Sequence, residues 1–196
     1  AAHLLAADSV SGLFLVGATG EYMRLTVAER KRITEAAGDV DRGDKVIVQS
    51  LAICEYLEEA LDAPRLLPGK ALARARVRGI VQTICSEIQP LNNLSVMHIL
   101  KDEMGLDGDR YQAWYAHWIE RGFRAVETWL SDDASGAFCH GDTPTLADCY
   151  LVPQVYNAER FKCDLEPYPR IREIAERCRA VEAFVRAAPE NQPDAE

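Results

Sequence analysis

Helical periodicity over residues 50–188 is the feature that most constrains the fold of this chain. Apolar side chains recur there at spacings of three and four residues, and no convincing strand pattern interrupts them. The predicted helices span residues 50–61, 71–88, 109–131, a segment that begins at Thr145, and 169–188. Pro90 is expected to break or kink the chain before helical character resumes toward Leu100. The pattern therefore predicts an all-helical bundle.

Residues 1–48 have a different pattern. Two short apolar runs, residues 12–16 and 45–48, flank a segment in which Thr26 and Glu29 have the spacing of a helix capping box. A strand, a helix and a second strand in that order are typical of a βαβ unit, whose two strands are parallel. The predicted fold is therefore mainly α, with a small α/β unit at the N-terminus.

Charge and composition exclude several classes of function. The chain of 196 residues carries a formal charge of −9, to which residues 1–49 contribute −1 and residues 50–196 contribute −8. An acidic chain argues against nucleic-acid binding, because contact with phosphates needs basic side chains. No apolar run approaches the roughly 20 residues that a membrane-spanning helix needs. We therefore expect neither a nucleic acid nor a membrane as partner.

The cysteines and histidines indicate no metal site. The six cysteines lie among apolar neighbours without Cys-x-x-Cys spacing, and the four histidines show no ligand pattern. The cysteines are therefore predicted to be buried thiols of a reducing compartment. They are Cys54, Cys85, Cys139, Cys149, Cys163 and Cys178. Because no secretory signal pattern is present, the expected location is the cytoplasm.

Several motifs follow one another in order through the helical part of the chain. They are residues 49–59 (QSLAICEYLEE), 66–69 (LLPG), 88–95 (IQPLNNLS), 139–148 (CHGDTPTLAD) and 152–161 (VPQVYNAERF). In these motifs residues 49–196 resemble the zeta-class glutathione transferases, the maleylacetoacetate isomerase family. The resemblance implies a glutathione transferase C-terminal helical domain, glutathione as cofactor, a small dicarboxylate as substrate, and a homodimer. The implied activity is glutathione-dependent cis–trans isomerisation in tyrosine and phenylalanine catabolism.

The resemblance also assigns residues that bind glutathione. Gln49 and Ser50 match positions that hold its γ-glutamyl end, and a helix that begins at Ser50 would offer free amides to that carboxylate. The alternative is that Ser50 only caps the helix. Further residues match positions that line the glutathione and substrate cleft: Gln89, Asn93, Leu94 and Ser95.

One arginine matches a position associated with the dicarboxylate substrate. This residue is Arg160, and a guanidinium suits the role because it can donate two hydrogen bonds to one carboxylate. The alternative is an ion pair with Glu159 or Asp164. Thr145 and Asp148 are predicted to be structural, because their spacing forms a variant capping box at the start of a helix.

The first part of the chain carries a second resemblance. Residues 17–21 (GATGE), with the strand and helix patterns around them, resemble a pyruvate-binding motif of the dihydrodipicolinate synthase and N-acetylneuraminate lyase family. A lyase of that family also needs a Schiff-base lysine and a complete barrel, which the helical remainder does not supply. The predicted organisation is a βαβ segment over residues 1–49, replacing most of a thioredoxin-like domain. A helix and linker over residues 50–68 pack on it, and a transferase-like helical domain follows over residues 69–196.

The catalytic residue stays unassigned, because the Ser-Ser-Cys motif of the zeta-class family does not occur in residues 1–48. The leading hypothesis is the isomerase, with catalysis impaired by the missing motif. One alternative is a non-catalytic helical module for dimerisation or interaction. Another is a recombined chimeric chain joined near Gln49, and a pyruvate-dependent aldolase or lyase ranks last.

Overall fold

The computed structural model of the chain describes residues 49–60 and 65–191. The predicted βαβ unit lies outside the described residues, as do part of the predicted linker and residues 192–196. The chain divides into two compact units, one formed by residues 1–66 with 180–196 and one formed by residues 67–179.

The described residues form a series of helices. In chain order the α-helices are α1 (Ser50–Ala60), α2 (Ala71–Gln82), α3 (Gln89–Asn92), α4 (Leu94–His98), α5 (Gly108–Leu130), α6 (Leu146–Arg160), α7 (Pro169–Arg179) and α8 (Glu182–Ala187). Two π-helical segments, Thr83–Ile88 and Ile99–Glu103, follow α2 and α4 directly, and a 3₁₀ turn covers Pro189–Asn191. The prediction of a helical bundle is therefore confirmed for the described part of the chain.

In the first unit, α1 begins at the predicted residue and buries its apolar side. Cys54 and Leu57 are buried, and the carboxylate of the buried Glu58 accepts a hydrogen bond from the N–H of Leu66 at 3.0 Å. The Arg65 guanidinium donates to the carbonyl of Glu58, also at 3.0 Å. These two bonds connect the end of α1 to the chain that follows residue 64.

The second unit has its core between α2, α5, α6 and α7. Helix α6 packs against α2 and α7, while α5 packs against α7 and against the π-helical segment Thr83–Ile88. The largest fully buried side chains of this core are apolar, apart from one glutamine: Ile80, Ile84, Ile88, Met97, Ile119, Phe123, Leu130, Leu146, Leu151, Gln154, Ile171 and Ile174. Within this unit, the helical periodicity read from the sequence thus corresponds to buried apolar side chains.

The break or kink expected at Pro90 takes the form of a change in helical register just before the proline. Helix α2 passes into the π-helical segment Thr83–Ile88 and then into α3, which has Pro90 in its first turn. A proline ring would clash with the carbonyl four residues earlier in a regular α-helix, and the wider π turn accommodates it. The chain leaves the helix instead at Asn93, which has an extended backbone with ψ of 158°.

The last predicted helix, residues 169–188, is two helices in the structure. Helix α7 ends at Arg179, and α8 begins at Glu182 after an extended Val181 with φ of −83° and ψ of 128°. The carbonyl of Val181 accepts hydrogen bonds from the N–H groups of Phe184 and Val185 at 3.0 and 3.1 Å. A β-branched residue favours this extended conformation, so the helical pattern continues in sequence while the backbone does not.

The prediction of six buried thiols is confirmed for four of them. Cys54, Cys139, Cys149 and Cys178 are buried, and none of the six is in a disulfide. Two predictions are wrong, because Cys85 and Cys163 are only half-buried. Cys85 lies in the π-helical segment, where the helical register shifts, and Cys163 lies in the turn after α6.

Across residues 49–60 and 65–191, no helix has both the length and the apolar composition needed to cross a bilayer.

Candidate functional site

The start of α1 has an unusual backbone. Gln49 is exposed and has φ of 74°, in the left-handed region that a residue other than glycine adopts at a cost of roughly 1–2 kcal/mol. Its carbonyl accepts the first helical hydrogen bond, from the N–H of Ile53 at 3.0 Å. Ser50 is therefore the first residue of the helix and not its cap. Strain of this kind persists mainly at functional sites.

The first turn of α1 suits a carboxylate ligand. It contains no acidic side chain, and the N–H groups at the start of a helix have no partner within the helix. These amides and the partial positive charge of the helix N-terminus attract anions. The Ser50 hydroxyl, on a half-buried side chain, adds one more donor at the same end of the helix.

The predicted binding residues around α4 form a local hydrogen-bonded turn. The Asn93 amide oxygen accepts from the N–H of Val96 at 3.0 Å and from the Ser95 hydroxyl at 2.6 Å. The Asn93 amide nitrogen donates to the carbonyl of Pro90 at 2.7 Å. Asn93 thus caps α4, and Ser95 supports the cap. Gln89 is half-buried and Leu94 is exposed.

Asn92 belongs to the same turn and was missed by sequence reasoning. Its amide nitrogen donates to the carbonyl of Tyr115 at 3.2 Å, which connects α3 to α5. Its amide oxygen is buried and has no hydrogen-bond partner among the described residues. Its neighbour Asn93 carried the motif match, and no pattern distinguished Asn92 from it.

The start of α6 is held by Asp148. Its fully buried carboxylate accepts hydrogen bonds from the N–H and the hydroxyl of Thr145 at 2.7 and 2.8 Å. It also accepts from the N–H of Cys139 at 2.9 Å. The capping interaction thus extends to the loop that precedes α6, and both residues serve the structure of the helix start.

Arg160 lies exposed in the last turn of α6 and has neither of the alternative ion pairs. Glu159 pairs instead with Arg179, through bonds of 2.6 and 3.0 Å. The Asp164 carboxylate accepts the N–H of Glu166 at 2.9 Å. Within the described part of the chain, the Arg160 guanidinium has no hydrogen bond or ion pair, so it is available to a carboxylate from outside the protein.

The chain turns sharply after Arg160. Lys162 has φ of 53°, the N–H of Lys162 donates to the carbonyl of Glu159, and the N–H of Cys163 donates to that of Ala158, both at 2.9 Å. This pair of bonds is the Schellman motif that ends many helices. Lys162 occupies the left-handed position of this motif, where glycine is usual.

Helix α5 contacts this turn through two side chains. The Gln112 amide donates a hydrogen bond to the carbonyl of Phe161. The ring of Tyr115 stacks on the ring of Phe161, with centroids 3.7 Å apart and planes at 10°. Tyr115 lies in the predicted helix 109–131, and sequence reasoning gave no signal for Gln112.

Burial shapes the electrostatics beside Arg160. It raises the pKa of the Tyr115 phenol, an effect that the charge of Cys163 increases and that of Arg160 reduces. Burial also raises the pKa of the Cys163 thiol to about 11. Both groups are therefore protonated at neutral pH, and Arg160 supplies positive charge near Tyr115.

A cavity of about 500 Å³ lies in the second unit between α5 and the chain that leads into α7. Its lining includes Ile119, Glu120, Arg124 and Tyr168, and none of the residues that the sequence proposed for binding. Arg124 is already paired with Glu120. Among the described residues, no group of three histidine, cysteine or acidic side chains could hold a metal ion.

Comparisons with known proteins agree with the motifs. Residues 112–187 match the family model of the glutathione S-transferase C-terminal domain. A probable maleylacetoacetate isomerase of Vibrio cholerae is 46% identical over 153 residues, which cover 78% of this chain and 71% of that protein. A maleylpyruvate isomerase of a Ralstonia species is 41% identical over 192 residues, which cover 93% of this chain and 91% of that protein.

The Ralstonia alignment also bears on residues 1–48. Because it covers 93% of the chain, it includes most of those residues. The resemblance of this segment to the dihydrodipicolinate synthase family finds no support, and neither does a chimeric chain joined near Gln49.

A solved structure leads to the same assignment. It is a maleylacetoacetate isomerase from Anaeromyxobacter dehalogenans with bound dicarboxyethyl glutathione and citrate in its active site. It is 41% identical, with a TM-score of 0.75, and the match covers 88% of this chain and 80% of that chain. The chain therefore belongs to the glutathione S-transferase family, among the maleylacetoacetate and maleylpyruvate isomerases of its zeta class.

Proposed function

We propose that this protein is a glutathione-dependent cis–trans isomerase of maleyl dicarboxylates such as maleylacetoacetate or maleylpyruvate. The observation that carries the proposal is the alignment with the Ralstonia maleylpyruvate isomerase, which is nearly complete for both proteins. Relatives of both names are found, so the substrate class is a maleyl compound that carries two acidic groups. Such a reaction belongs to aromatic compound catabolism, including that of tyrosine and phenylalanine.

The residues at the start of α1 fit the γ-glutamyl end of glutathione. Gln49 holds its strained backbone there, and the free amides and the Ser50 hydroxyl are suited to a carboxylate. When bound, glutathione supplies a thiol that adds reversibly to the cis double bond, so that rotation takes place about the resulting single bond. The residue that would activate this thiol is not assigned.

We further propose that Gln89, Asn93, Leu94 and Ser95 line the glutathione cleft. The Ser95 hydroxyl already donates to Asn93, so these two residues would act mainly by fixing the shape of their side of the glutathione cleft. Arg160 would bind a substrate carboxylate, and its lack of a partner among the described residues supports this role. We also propose a cytoplasmic homodimer, as the family resemblance implies.

The test is a glutathione-dependent isomerisation assay with maleylpyruvate and with maleylacetoacetate. The expected result is conversion to the trans isomer only when glutathione is present, together with retention on immobilised glutathione. Replacing the arginine in Arg160→Met is expected to raise the KM for the maleyl substrate about tenfold or more, because a charge-assisted pair is lost. The matched control is Arg172→Met, which removes an exposed arginine of the same unit whose partner, Glu166, is not a neighbour of Arg160.

Absence of both turnover and glutathione retention would reject the isomerase. Retention without turnover would instead support the non-catalytic alternative. An equal rise in KM in the two arginine variants would remove Arg160 from the proposed substrate site while leaving the activity in place.

A further inference from the structure

We propose that Gln112 is a positioning residue that holds Arg160 in place for the substrate carboxylate. The inference rests on the proposed function and concerns how the second unit keeps its substrate-binding arginine in one position. Gln112 lies in the second turn of α5, 49 residues before the carbonyl to which it donates.

The carbonyl that accepts the Gln112 amide belongs to Phe161, the residue after Arg160. At the end of α6, the carbonyls of Ala158 and Glu159 are used by the Schellman bonds. The carbonyl of Phe161 takes no part in those bonds, and it accepts the Gln112 amide. A carbonyl at a helix end needs a partner from elsewhere when it is screened from water. Gln112 supplies that partner from another helix.

Tyr115 reinforces the same connection. It lies one helical turn after Gln112 on α5, so the two side chains share a face of that helix. Its ring is buried and stacks on Phe161, while Gln112 bonds to the backbone of Phe161. Helix α5 therefore holds both the ring and the carbonyl of the residue that directly follows Arg160.

Arg160 depends on this support because no other contact within residues 49–60 and 65–191 orients its guanidinium. Its side chain is long and exposed, and no carboxylate among the described residues pairs with it. The next residue but one, Lys162, has a left-handed backbone that costs free energy, so the turn is not held by local preference alone. A binding group that is already held in position loses less conformational freedom when its ligand binds. A looser turn would thus weaken substrate binding through Arg160.

The test is a double-variant cycle on the full chain. Gln112→Met removes the donor and keeps the size of the side chain. It is expected to raise the KM for the maleyl substrate about fivefold, the usual effect of one lost hydrogen bond, with kcat and the KM for glutathione unchanged. In the Arg160→Met background, Gln112→Met is expected to raise that KM no further. Gln82→Met is the matched control, because Gln82 is exposed and accepts bonds only from Cys85 and Ser86 in the π-helical segment that follows it.

Three results would overturn the proposal. They are an unchanged KM in Gln112→Met, a fall in kcat at constant KM, and a further rise of KM when Gln112→Met is combined with Arg160→Met. Should Gln112→Met fail to fold, Gln112→Asn shortens the side chain by one methylene and is expected to raise the same KM by a smaller factor. An unchanged KM in that variant would count equally against the proposal.

A second readout separates this inference from the proposed function. Titration of glutathione-saturated protein with maleate, followed by tryptophan fluorescence, measures dicarboxylate binding without turnover. Gln112→Met is expected to weaken maleate binding about fivefold, and not to do so in the Arg160→Met background. If the wild-type protein binds maleate but turns over no substrate, the proposed function is contradicted and the inference about Gln112 is not. If Gln112→Met and the wild type bind maleate equally well, the inference is contradicted and the proposed function is not.

Discussion

At the residue scale, Asp148 shows how one buried carboxylate connects separate parts of the backbone. The sequence predicted its bond with Thr145, because the two residues have the spacing of a capping box. It did not predict the bond with the N–H of Cys139, which lies nine positions earlier in a loop whose path the spacing does not determine. Local bonds can be read from spacing, whereas bonds that depend on how a loop folds cannot.

Removing this carboxylate is expected to destabilise the helical unit strongly. In Asp148→Ala, the buried N–H groups of Cys139 and Thr145 lose their acceptor, so we expect the free energy of unfolding to fall by about 3–5 kcal/mol. Urea denaturation measures the change. The control is Asp142→Ala, because Asp142 accepts one N–H, from Ala137, at an exposed site, and a loss below about 1 kcal/mol is expected. Similar losses in the two variants would contradict this account.

The candidate site shows the same limit of prediction. Family motifs led to Gln49, Ser50 and Arg160, but sequence neighbours suggested the wrong ion pairs for Arg160. Glu159 pairs with Arg179, 20 residues away, because α6 packs against α7. Tertiary packing determines which of several possible ion pairs forms, and a single sequence does not show that packing.

At the scale of elements, helix locations were predictable and changes of helical register were not. The predicted helix 109–131 corresponds to α5, and the predicted helix 71–88 corresponds to α2 with its π-helical continuation. The periodicity of apolar residues does not distinguish a π turn from an α turn within one short segment. The sequence therefore predicted a break or kink at Pro90. In the structure the register changes over Thr83–Ile88, and the chain leaves the helix at Asn93, which caps α4.

The contact between α5 and the π-helical segment depends on a glycine. A Cβ on Gly122 would lie 2.3 Å from two carbon atoms of Ile88, which is fully buried. We therefore expect Gly122→Ala to lower the free energy of unfolding by about 1–3 kcal/mol. In an Ile88→Ala background the added methyl group enters the vacated space, so Gly122→Ala should cost less there.

Denaturation of the four proteins of this cycle measures the coupling between the two positions. Gly108→Ala is the matched control, because it changes a glycine at the start of the same helix where no atom lies within 4 Å of the new Cβ. It is expected to stay within about 0.5 kcal/mol of the wild type. Additive effects at Gly122 and Ile88 would show that the two side chains do not compete for the same space.

At the scale of the whole molecule, the family could be recognised from motifs spread over residues 49–196. A short string in residues 1–48 suggested a different family, which the comparisons do not support. Residues 17–21 are a glycine-rich string with one hydroxyl side chain, a composition that is common in unrelated strand-to-helix turns. The alignment with the Ralstonia isomerase extends over this segment instead. Ordered motifs across a domain are specific because their spacing reflects a whole fold, and five residues do not.

Glutathione is expected to stabilise the folded protein. A ligand that binds only the native state adds about 2.7 kcal/mol at a concentration of 100 Kd. For a chain of this size the expected rise in Tm is roughly 5–10 °C. Thermal denaturation with and without glutathione measures it. Cysteinylglycine, which lacks the γ-glutamyl group, is the control and should give little shift.

Ser50→Ala should reduce the glutathione effect, because the hydroxyl at the start of α1 is lost. A shift of equal size with cysteinylglycine would mean that the γ-glutamyl group is not recognised. No shift with either peptide would speak against glutathione binding altogether.

The two residues with left-handed backbones, Gln49 and Lys162, have opposite consequences for engineering. Glycine at either position would relieve strain, so a library selected only for thermostability would favour it at both. At position 162 such a change leaves the Schellman bonds in place, since they use only backbone atoms. At position 49 it would remove a side chain that we assign to glutathione. Position 162 is therefore open to stabilising mutation, whereas glycine at position 49 would raise thermostability and weaken the binding of glutathione.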